Sequence, residues 1–219
     1  AVTKSYVDNL IETVKGILSG NKIIDRDGNI YNTVLIDNQL WMTENLRTTK
    51  YNDGTPIPKV TDNSWGTLTT GAFCWYNNDS AKYEIPYGKL YNFYAVLIPR
   101  EAQKLCPSGW HVPSQTDWEE LITFLGGPKE AGGKLKETGT SHWRTPNTGA
   151  TNETGFTALP GGFRPDRFED TGEFGYWWSS TVGGELRSYS IRLLYTSEEL
   201  QKTSSLFKSG LSVRCMKDN

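Results

Sequence analysis

The side chains with the most chemical potential in this 219-residue chain are two histidines and a short run of carboxylates. His111 and His142 are separated by loop-like sequence and lack the HExxH or clustered spacing of a zinc or acid–base site. Asp117, Glu119 and Glu120 stand in the first turn of a predicted helix, where the helix dipole favours acids. These carboxylates are therefore predicted to be solvated capping charges, and no catalytic residue is assigned.

The three cysteines are too few for a disulfide scaffold and lack the CxxC spacing of a structural zinc site. A bridge between Cys106 and Cys215 would close a loop of about 110 residues, which in the chain-entropy description stabilises a protein by on the order of 4 kcal/mol. Such a bridge also implies an oxidising location. The alternative is that Cys74, Cys106 and Cys215 are all buried thiols in a cytosolic protein.

Phosphate and metal chemistry find no support in the sequence. It contains no GxSxG and no glycine-rich phosphate loop. Asn52-Asp53-Gly54 and Asn77-Asn78-Asp79 are more simply turns than an oxygen cage for calcium. No metal and no cofactor are predicted.

Composition excludes two classes of partner. A net charge of −2 without a local Lys/Arg cluster argues against nucleic acid. No apolar run reaches the roughly 20 residues that a bilayer requires, so no membrane-spanning segment is predicted. Eight Trp, eleven Tyr and 22 Gly mark an aromatic-rich, loop-rich globule. The start at Ala1 without a signal-like segment indicates a mature form or a fragment.

Residues 1–18 predict an amphipathic helix that ends at Ser19-Gly20. Its apolar residues fit about two heptads, which is too short for a stable isolated helix but suits the end of a longer coiled coil. The alternative is a helix packed on its own domain. The apolar positions are Val7, Leu10, Ile11, Val14, Ile17 and Leu18.

The remainder, residues 21–219, predicts a single α+β domain. A small antiparallel meander is expected at residues 23–42, with a two-residue turn at Asp27-Gly28. One helix is expected over residues 90–96, and a second begins after Ser114.

Loops with short strands follow the second helix. Asp117 occupies the capping-box position of that helix, and Gly126-Gly127-Pro128 is expected to end it. From Ala131 onward Gly-, Thr- and Asn-rich loops lead to the closing strands. The architecture is two helices beside a twisted, loop-heavy antiparallel sheet.

Seven segments of the chain carry a family resemblance: Trp41-Met42-Thr43-Glu44-Asn45-Leu46, Lys50-Tyr51-Asn52-Asp53-Gly54-Thr55, Leu105-Cys106-Pro107-Ser108-Gly109-Trp110-His111-Val112-Pro113-Ser114, Lys134-Leu135-Lys136-Glu137-Thr138-Gly139, Gly155-Phe156-Thr157-Ala158-Leu159-Pro160-Gly161-Gly162-Phe163-Arg164, Tyr176-Trp177-Trp178-Ser179-Ser180-Thr181 and Ser212-Val213-Arg214-Cys215. They resemble the Fibrobacter succinogenes major paralogous domain, over about residues 23–218. The resemblance implies a C-type lectin-like fold, akin to the formylglycine-generating enzymes, on secreted or surface-attached bacterial proteins. Oxidase activity is not carried over, because it requires a close reactive cysteine pair and Cys215 stands alone near the end. The calcium-ligand motifs of sugar-binding C-type lectins, Glu-Pro-Asn and Trp-Asn-Asp, are also missing.

Two further resemblances concern the ends of the chain. Ala1-Val2-Thr3-Lys4-Ser5-Tyr6-Val7-Asp8 is similar to the repeat that leads into trimeric stalks of phage tail fibres, which implies a homotrimer through residues 1–18. The C-terminal third is similar to variable proteins of diversity-generating retroelements. The C-terminal segments of those proteins are rich in Asn, Ser and Tyr, whereas this chain has other residues there. Either diversification or ordinary drift would produce that difference.

The sequence offers two predictions for the strand that precedes Tyr195. Its odd- and even-numbered residues point to opposite faces, and binary patterning favours burial of the odd set, which includes Ile191 and Leu193. The resemblance implies the opposite. It makes Arg192 and Leu194 framework positions and displays the odd set as an apolar and aromatic docking surface. We adopt the second prediction.

The residues expected to bind a ligand on this basis are called the display set. Phe168 and Phe174 extend the patch from a neighbouring loop, although they equally suit a local core. The display set comprises Phe168, Phe174, Arg187, Tyr189, Ile191, Leu193, Tyr195, Glu198, Glu199, Gln201 and Phe207.

Together these features predict a non-enzymatic adhesin or receptor-binding domain on a trimeric stalk. It is expected outside the cell, on a bacterial surface or a phage tail fibre, where it binds a protein or glycan on a target cell. The alternatives are a calcium-independent glycan-binding lipoprotein module and an oxidoreductase of the formylglycine-generating type.

Overall fold

The structure, a computed structural model, describes Val7, Ile11 and Val14 together with residues 22–97 and 104–218. It is an α+β protein with antiparallel sheets and long loops, as the sequence predicts. The strands are β1 (Lys22–Ile24), β2 (Ile30–Ile36), β3 (Gln39–Met42), β4 (Phe73–Cys74), β5 (Leu90–Tyr91), β6 (Trp110–His111), β7 (Phe174–Gly184), β8 (Arg187–Leu194), β9 (Leu200–Leu206) and β10 (Met216–Lys217). The helices are α1 (Ser80–Tyr87), α2 (Phe93–Val96), α3 (Gln115–Phe124) and α4 (Pro128–Leu135), with 3₁₀ turns at Asn63–Thr67 and Tyr76–Asn78.

Three residues of the predicted N-terminal helix are described, and all three are helical. Val7, Ile11 and Val14 are each more than two-fifths exposed. The remaining positions of residues 1–18 lie outside the described residues. The predicted coiled coil and its trimer therefore stay predictions.

The first sheet confirms the predicted meander and joins it to the end of the chain. Its order is β1-β2-β3-β10-β6, so the last strand inserts between β3 and β6. The predicted two-residue turn at Asp27-Gly28 is wrong in register, because Ile24 pairs with Ile30 and the connection comprises residues 25–29, closed by the bond from Asp25 N–H to the Asn29 carbonyl (3.1 Å). Gly28 nevertheless takes a positive φ of 83° in this turn.

The predicted disulfide reinforces this arrangement. Cys106 and Cys215 are bonded, with their Cα atoms 5.9 Å apart; Cys106 lies shortly before β6 and Cys215 directly before β10. The alternative of three thiols is wrong, and Cys74 is a buried free thiol.

The second large sheet, in the order β7-β8-β9, separates two hydrophobic clusters. Consecutive side chains of a strand point to opposite faces. Trp177 accordingly packs into the helix-side cluster with Trp41 and Trp118, while Trp178 packs into the disulfide-side cluster with Phe93. One face of this sheet is thus directed towards α3.

The helices differ in part from expectation. α3 begins as predicted: Asp117 N–H donates to Ser114 Oγ (3.2 Å), and Ser114 N–H donates to Asp117 Oδ2 (2.7 Å). The helix expected over residues 90–96 is only the single turn α2, because Leu90 and Tyr91 are in a strand and Tyr91 pairs with Leu211. None of the described helices is long and apolar enough to cross a membrane.

Arg214, directly before Cys215, has a structural role in the core. The Arg214 guanidinium is fully buried, donates to Asn45 Oδ1 (2.9 Å) and to the Phe156 carbonyl, and lies over the Phe156 ring. Trp177 Nε1–H donates to the same Asn45 oxygen (2.8 Å). Burial lowers the pKa of Arg214 to about 9. The network ties the first sheet to the second.

Candidate functional site

The structure corrects the predicted orientation of β8. Ile191 and Leu193 are 4% and 1% exposed and belong to the helix-side cluster. Their display on the surface, which the resemblance implied, is wrong. Binary patterning was right because Ile191 pairs with Trp177, and both side chains face the apolar layer under α3. Arg192 and Leu194 lie on the opposite face and are partly exposed.

Three phenylalanines of the display set also pack inside the protein. Phe207 is buried against Phe93, with ring centroids 4.6 Å apart, so its display is wrong as well. Phe168 lies 4.8 Å under the Arg164 guanidinium. Phe174 stacks on Tyr176. The last two are only partly exposed and form local cores, as their alternative interpretation held.

The exposed remainder of the display set does not form one continuous patch. Arg187, Glu198 and Glu199 are exposed. Gln201 accepts hydrogen bonds from Arg192 on the face away from α3. Tyr195 packs against the helix-side cluster beneath Arg144, whose guanidinium lies 5.9 Å from its ring.

A concave site forms where α3 faces β8 and β9, and we call it the α3–β9 cleft. It has a volume of about 460 Å³. Buried Trp118 and Ile191 supply apolar surface, and partly exposed Tyr189 adds an aromatic ring with a hydroxyl. The lining residues are Gln115, Trp118, Ser179, Tyr189, Ser190, Ile191, Lys202, Thr203 and Ser204.

The capped start of α3 fixes one wall of the cleft. The backbone N–H of Gln115 donates to Thr181 Oγ1 (2.9 Å), which anchors the first turn of the helix to β7. Trp118 then points into the helix-side cluster, with its ring 4.8 Å from that of Trp41. Because Trp118 is held in the core and the first turn of α3 is bonded to β7, the wall is positioned before any ligand arrives.

Charged groups occupy the rim of the cleft. Lys202 Nζ lies 2.9 Å from Glu119 Oε1, and Gln115 Nε2 donates to the same oxygen (2.9 Å). The hydrogen bonds from Gln115 and Lys202 lower the pKa of the Glu119 carboxyl. Arg187 donates through Nε to Ser204 Oγ (3.1 Å) and through Nη2 to the Ser204 carbonyl (2.8 Å). Within the described ranges no carboxylate pairs with Arg187.

The chemistry of this lining suits recognition. Hydroxyls, an amide, an aromatic ring and an ammonium group surround an apolar floor, which is the usual composition of a ligand pocket. The lining set includes neither histidine nor cysteine. Across residues 22–97 and 104–218, no three His, Cys, Asp or Glu side chains group in a way that could hold a metal ion.

The histidines and carboxylates singled out in the sequence take structural roles. His111 lies between Asp218 (Nδ1 to Oδ1, 2.7 Å) and Asp117 (Nε2 to Oδ2, 3.3 Å). His142 contacts Glu137 (2.8 Å). Asp117 caps α3, as predicted.

Sequence reasoning found only part of this site. Of the display set, the cleft contains Tyr189 and Ile191, and Arg187 reaches its edge through Ser204. The lining residues that it missed are Gln115, Trp118, Ser179, Ser190, Lys202, Thr203 and Ser204. The two-residue period would have placed Lys202 and Ser204 on one face of β9, but nothing local in the sequence reveals that α3 crosses that face.

Comparisons with known proteins identify a family for this chain. No curated protein and no solved structure matches this chain. The model of the Fibrobacter succinogenes major domain matches residues 34–217, which include the end of β2, all strands from β3 to β10, the disulfide and the whole α3–β9 cleft. The chain therefore belongs to the Fibrobacter succinogenes major domain family.

Proposed function

We propose that this protein is a non-enzymatic ligand-binding domain and that the α3–β9 cleft is its ligand site. The observation that carries the proposal is the concave arrangement of Tyr189, Lys202 and Ser204 over a floor of Trp118 and Ile191. Such a pocket holds a ligand by apolar contact and orients it with a few polar groups. The strand that was expected to display its odd-numbered side chains contributes instead to the floor and wall of a cleft.

The Cys106–Cys215 disulfide supports an extracellular location, on a bacterial surface or a phage tail fibre. Structural disulfides persist in oxidising environments and are rare in the cytosol. The α+β, loop-rich architecture with a terminal antiparallel sheet is compatible with a C-type lectin-like fold. On this proposal, the C-terminal sheet is the part of the domain that variation in a diversity-generating system would alter.

A homotrimer through residues 1–18 completes the proposal. The exposed apolar side chains of Val7, Ile11 and Val14 recur at the four- and three-residue spacing of a coiled-coil seam. Three linked cleft sites would exceed single-site avidity by on the order of 10² or more, so each site can be weak.

Light scattering coupled to size-exclusion chromatography tests the stalk. The intact chain is expected to have the mass of three chains, and the chain without residues 1–20 the mass of one. A monomeric intact chain contradicts the trimer but leaves the cleft proposal in place.

A row of aromatic rings favours glycan binding as a second candidate function. Tyr76, Tyr87 and His142 are the partly exposed members of a series of rings, with centroids 5.1 to 5.9 Å apart, that also includes buried Tyr83 and Phe168 of the local core. Aromatic surfaces can bind sugars without calcium through their apolar faces. An oxidoreductase of the formylglycine-generating type is less well supported, because Cys215 is bonded to Cys106 and Cys74 is a single buried thiol.

Matched substitutions test the cleft. A phage-displayed library of random peptides and a glycan array serve as probes for the intact chain. Tyr189→Ala is expected to weaken binding of the selected ligands by about 30-fold, because an aromatic anchor in a pocket contributes about 2 kcal/mol or more. Lys202→Ala is expected to weaken it less, since an exposed pair contributes little.

Two control variants make this test specific. Tyr195→Ala changes the same residue type outside the cleft, and Lys129→Ala removes an exposed lysine of α4. Both are expected to retain binding. Ligands that survive Tyr189→Ala and are lost with Tyr87→Ala would contradict the cleft and favour the aromatic row.

A further inference from the structure

We propose that the outer edge of β9 takes the partner by strand addition: an extended peptide segment carrying acidic side chains pairs with the backbone of Lys202 and Ser204. This inference rests on the proposed function of the α3–β9 cleft and names the class of its ligand.

β9 is a regular edge strand. The sheet order β7-β8-β9 leaves it with one neighbouring strand. Seven consecutive pairs, from Arg187 with Leu206 to Leu193 with Leu200, join β9 to β8 without a bulge. The strand is therefore regular enough to pair with a further strand along its free edge.

The hydrogen-bond pattern shows which backbone groups of β9 face outward. Tyr195 N–H donates to the Glu173 carbonyl (2.9 Å), so odd-numbered residues of β8 bond to β7. Phe207 N–H donates to the Leu186 carbonyl (2.8 Å), so even-numbered residues bond towards β9. Narrow and wide pairs alternate in an antiparallel ladder.

It follows that Gln201, Thr203 and Ser205 direct their backbone groups to β8, while Lys202 and Ser204 direct theirs away from the sheet.

These outward groups are available. In the described part of the chain, the N–H groups of Lys202 and Ser204 and the Lys202 carbonyl have no backbone partner. The Ser204 carbonyl accepts from Arg187 Nη2 (2.8 Å). The side chains of Lys202 and Ser204 are exposed.

The usual devices that protect an edge are weak in this strand. β9 has no proline, and its pairing with β8 has no bulge. Its one charged residue is Lys202, whose ammonium group is drawn onto α3 by Glu119 (2.9 Å) instead of standing over the edge. Peptide binding by addition to such an edge is an established mode of recognition, in which the backbone gives affinity and adjoining pockets give specificity.

The charge of Arg187 favours a strand from a different protein over β9 of a second copy of this chain. Arg187 lies against Ser204 and has no carboxylate partner among the described residues. A two-fold pairing of β9 with its own copy about Ser204 would bring two Arg187 guanidinium groups together, which is unfavourable. A strand with acidic side chains would instead pair with Arg187 and release the Ser204 carbonyl to the new ladder.

The edge and the cleft form one continuous surface. Lys202 and Ser204 belong to both, and their side chains share the face of the sheet that carries Tyr189. A strand seated on β9 would lie along the open side of the cleft and direct alternate side chains to the same face.

Residue-resolved amide hydrogen exchange on the full chain tests the inference. The probe is a blocked peptide of about nine residues that alternates valine with glutamate, and its control replaces glutamate with lysine. In the free protein, Thr203 and Ser205 are expected to exchange slowly and Lys202 and Ser204 rapidly. The glutamate peptide is expected to slow exchange at Lys202 and Ser204 by about tenfold or more, and the lysine peptide is not.

Ser204→Pro removes an outward N–H while leaving the ladder to β8 intact, because proline is accepted on an edge strand where its nitrogen faces solvent. The variant is expected to lose peptide protection at Lys202 while Thr203 and Ser205 remain slow. Ser204→Ala keeps the N–H and is expected to weaken binding less than the proline variant. Arg187→Glu is expected to transfer the preference to the lysine peptide.

Three results would overturn strand addition: unchanged exchange at Lys202 and Ser204 with millimolar glutamate peptide, protection that appears with rising protein concentration alone, or full protection in Ser204→Pro. If ligands selected on the arrays are lost with Tyr189→Ala but kept with Ser204→Pro, strand addition fails and the cleft remains the ligand site. If they survive Tyr189→Ala, the proposed function fails.

Discussion

His111 is an ion-pairing side chain, and it links stability to pH. The hydrogen bond that His111 donates to Asp117, followed by the one it donates to Asp218, raises the pKa of His111 despite its partial burial. A raised folded-state pKa gives a stabilising contribution that is full below the unfolded pKa of about 6.5 and is lost as pH rises through the folded value.

We therefore expect the free energy of unfolding in urea to fall with rising pH across that interval, by about 0.5 to 1 kcal/mol because the pair is partly exposed. His111→Gln is expected to flatten this dependence. A variant with the slope of the original chain would contradict the assignment.

Lys136 acts as an internal cation that holds three loop carbonyls. It is fully buried, and its Nζ donates to the carbonyls of Thr148 (2.8 Å), Leu194 (3.0 Å) and Ser197 (2.8 Å). Lys136→Met keeps the length of the side chain but removes the donor of all three carbonyls, of which that of Leu194 keeps a second donor, the Ser197 N–H (3.4 Å). We therefore expect a loss of about 3 to 5 kcal/mol in the free energy of unfolding.

Lys134→Met is the matched control for Lys136→Met. Lys134 forms partly exposed pairs with Glu130 and Glu153, and its replacement is expected to cost less than about 1 kcal/mol. Equal losses in the two variants would show that the carbonyl cage contributes little. Chemical denaturation measures both.

At the level of single residues, the sequence predicted burial better than the resemblance did. The two-residue period placed Ile191 and Leu193 in the core, where they are found. The resemblance placed them on the surface because it indicates where a variable segment lies in the chain but not which of its side chains face the core. Long-range partners such as Asn45 and Arg214 leave no signal that a single sequence can reveal.

Close packing explains why helix α4 was not predicted from the sequence. A Cβ atom at Gly132 would lie 2.7 Å from the Glu198 carbonyl oxygen, and one at Gly133 would lie 2.3 Å from the carbonyl oxygen of Gly149. Glycine is a poor helix former, so the pair suggested a loop. Its true role is to let the helix approach the start of β9 and the neighbouring loop.

Gly133→Ala should therefore destabilise the protein despite alanine's higher helix propensity. The added methyl group meets backbone, which cannot move aside as a flexible side chain can. We expect a loss of about 1 to 3 kcal/mol in thermal or urea unfolding. Lys129→Ala, at an exposed position of the same helix, serves as control and is expected to be neutral or slightly stabilising. A stabilised Gly133→Ala variant would refute the close approach.

Elements with complete local signals were predicted well. The Ser114–Asp117 capping box contains the residues that make its hydrogen bonds. The turn between β1 and β2 was placed correctly, but its register was not, because the Asp25 carboxylate accepts from the Asp27 and Asn29 N–H groups and widens the connection to residues 25–29. The helix expected over residues 90–96 was shortened by an interaction that is not local, because Tyr91 pairs with Leu211 from the end of the chain. Sequence reasoning fails where a distant strand competes for the same backbone.

At the scale of the whole molecule, the disulfide joins the end of the chain to the structure that positions the cleft. Cys106 and Cys215 are separated by 109 residues, and the strands that follow them, β6 and β10, pair with each other. β6 ends three residues before Ser114, the residue that caps α3. The bridge therefore supports the wall of the cleft as well as the first sheet.

Reduction should lower both stability and ligand affinity. Opening a loop of this length is expected to cost about 4 to 5 kcal/mol in the free energy of unfolding. Because β10 is only two residues long, we expect it to separate from β6 on reduction. The segment that leads from β6 to α3 would then no longer be held in place. Urea denaturation with and without dithiothreitol, together with binding of an array-selected ligand, measures the two effects.

The double variant Cys106→Ala/Cys215→Ala is expected to have the stability and affinity of the reduced protein, with no further change in dithiothreitol. Cys74→Ala is expected to lose stability and affinity in dithiothreitol as the original chain does. The two readouts separate the roles of the bridge. Lower stability with unchanged affinity would mean that α3 is held by its cap and by the Gln115 contact with Thr181 alone. A loss of affinity under conditions where the chain stays folded would instead show that the closure of the first sheet positions the binding site.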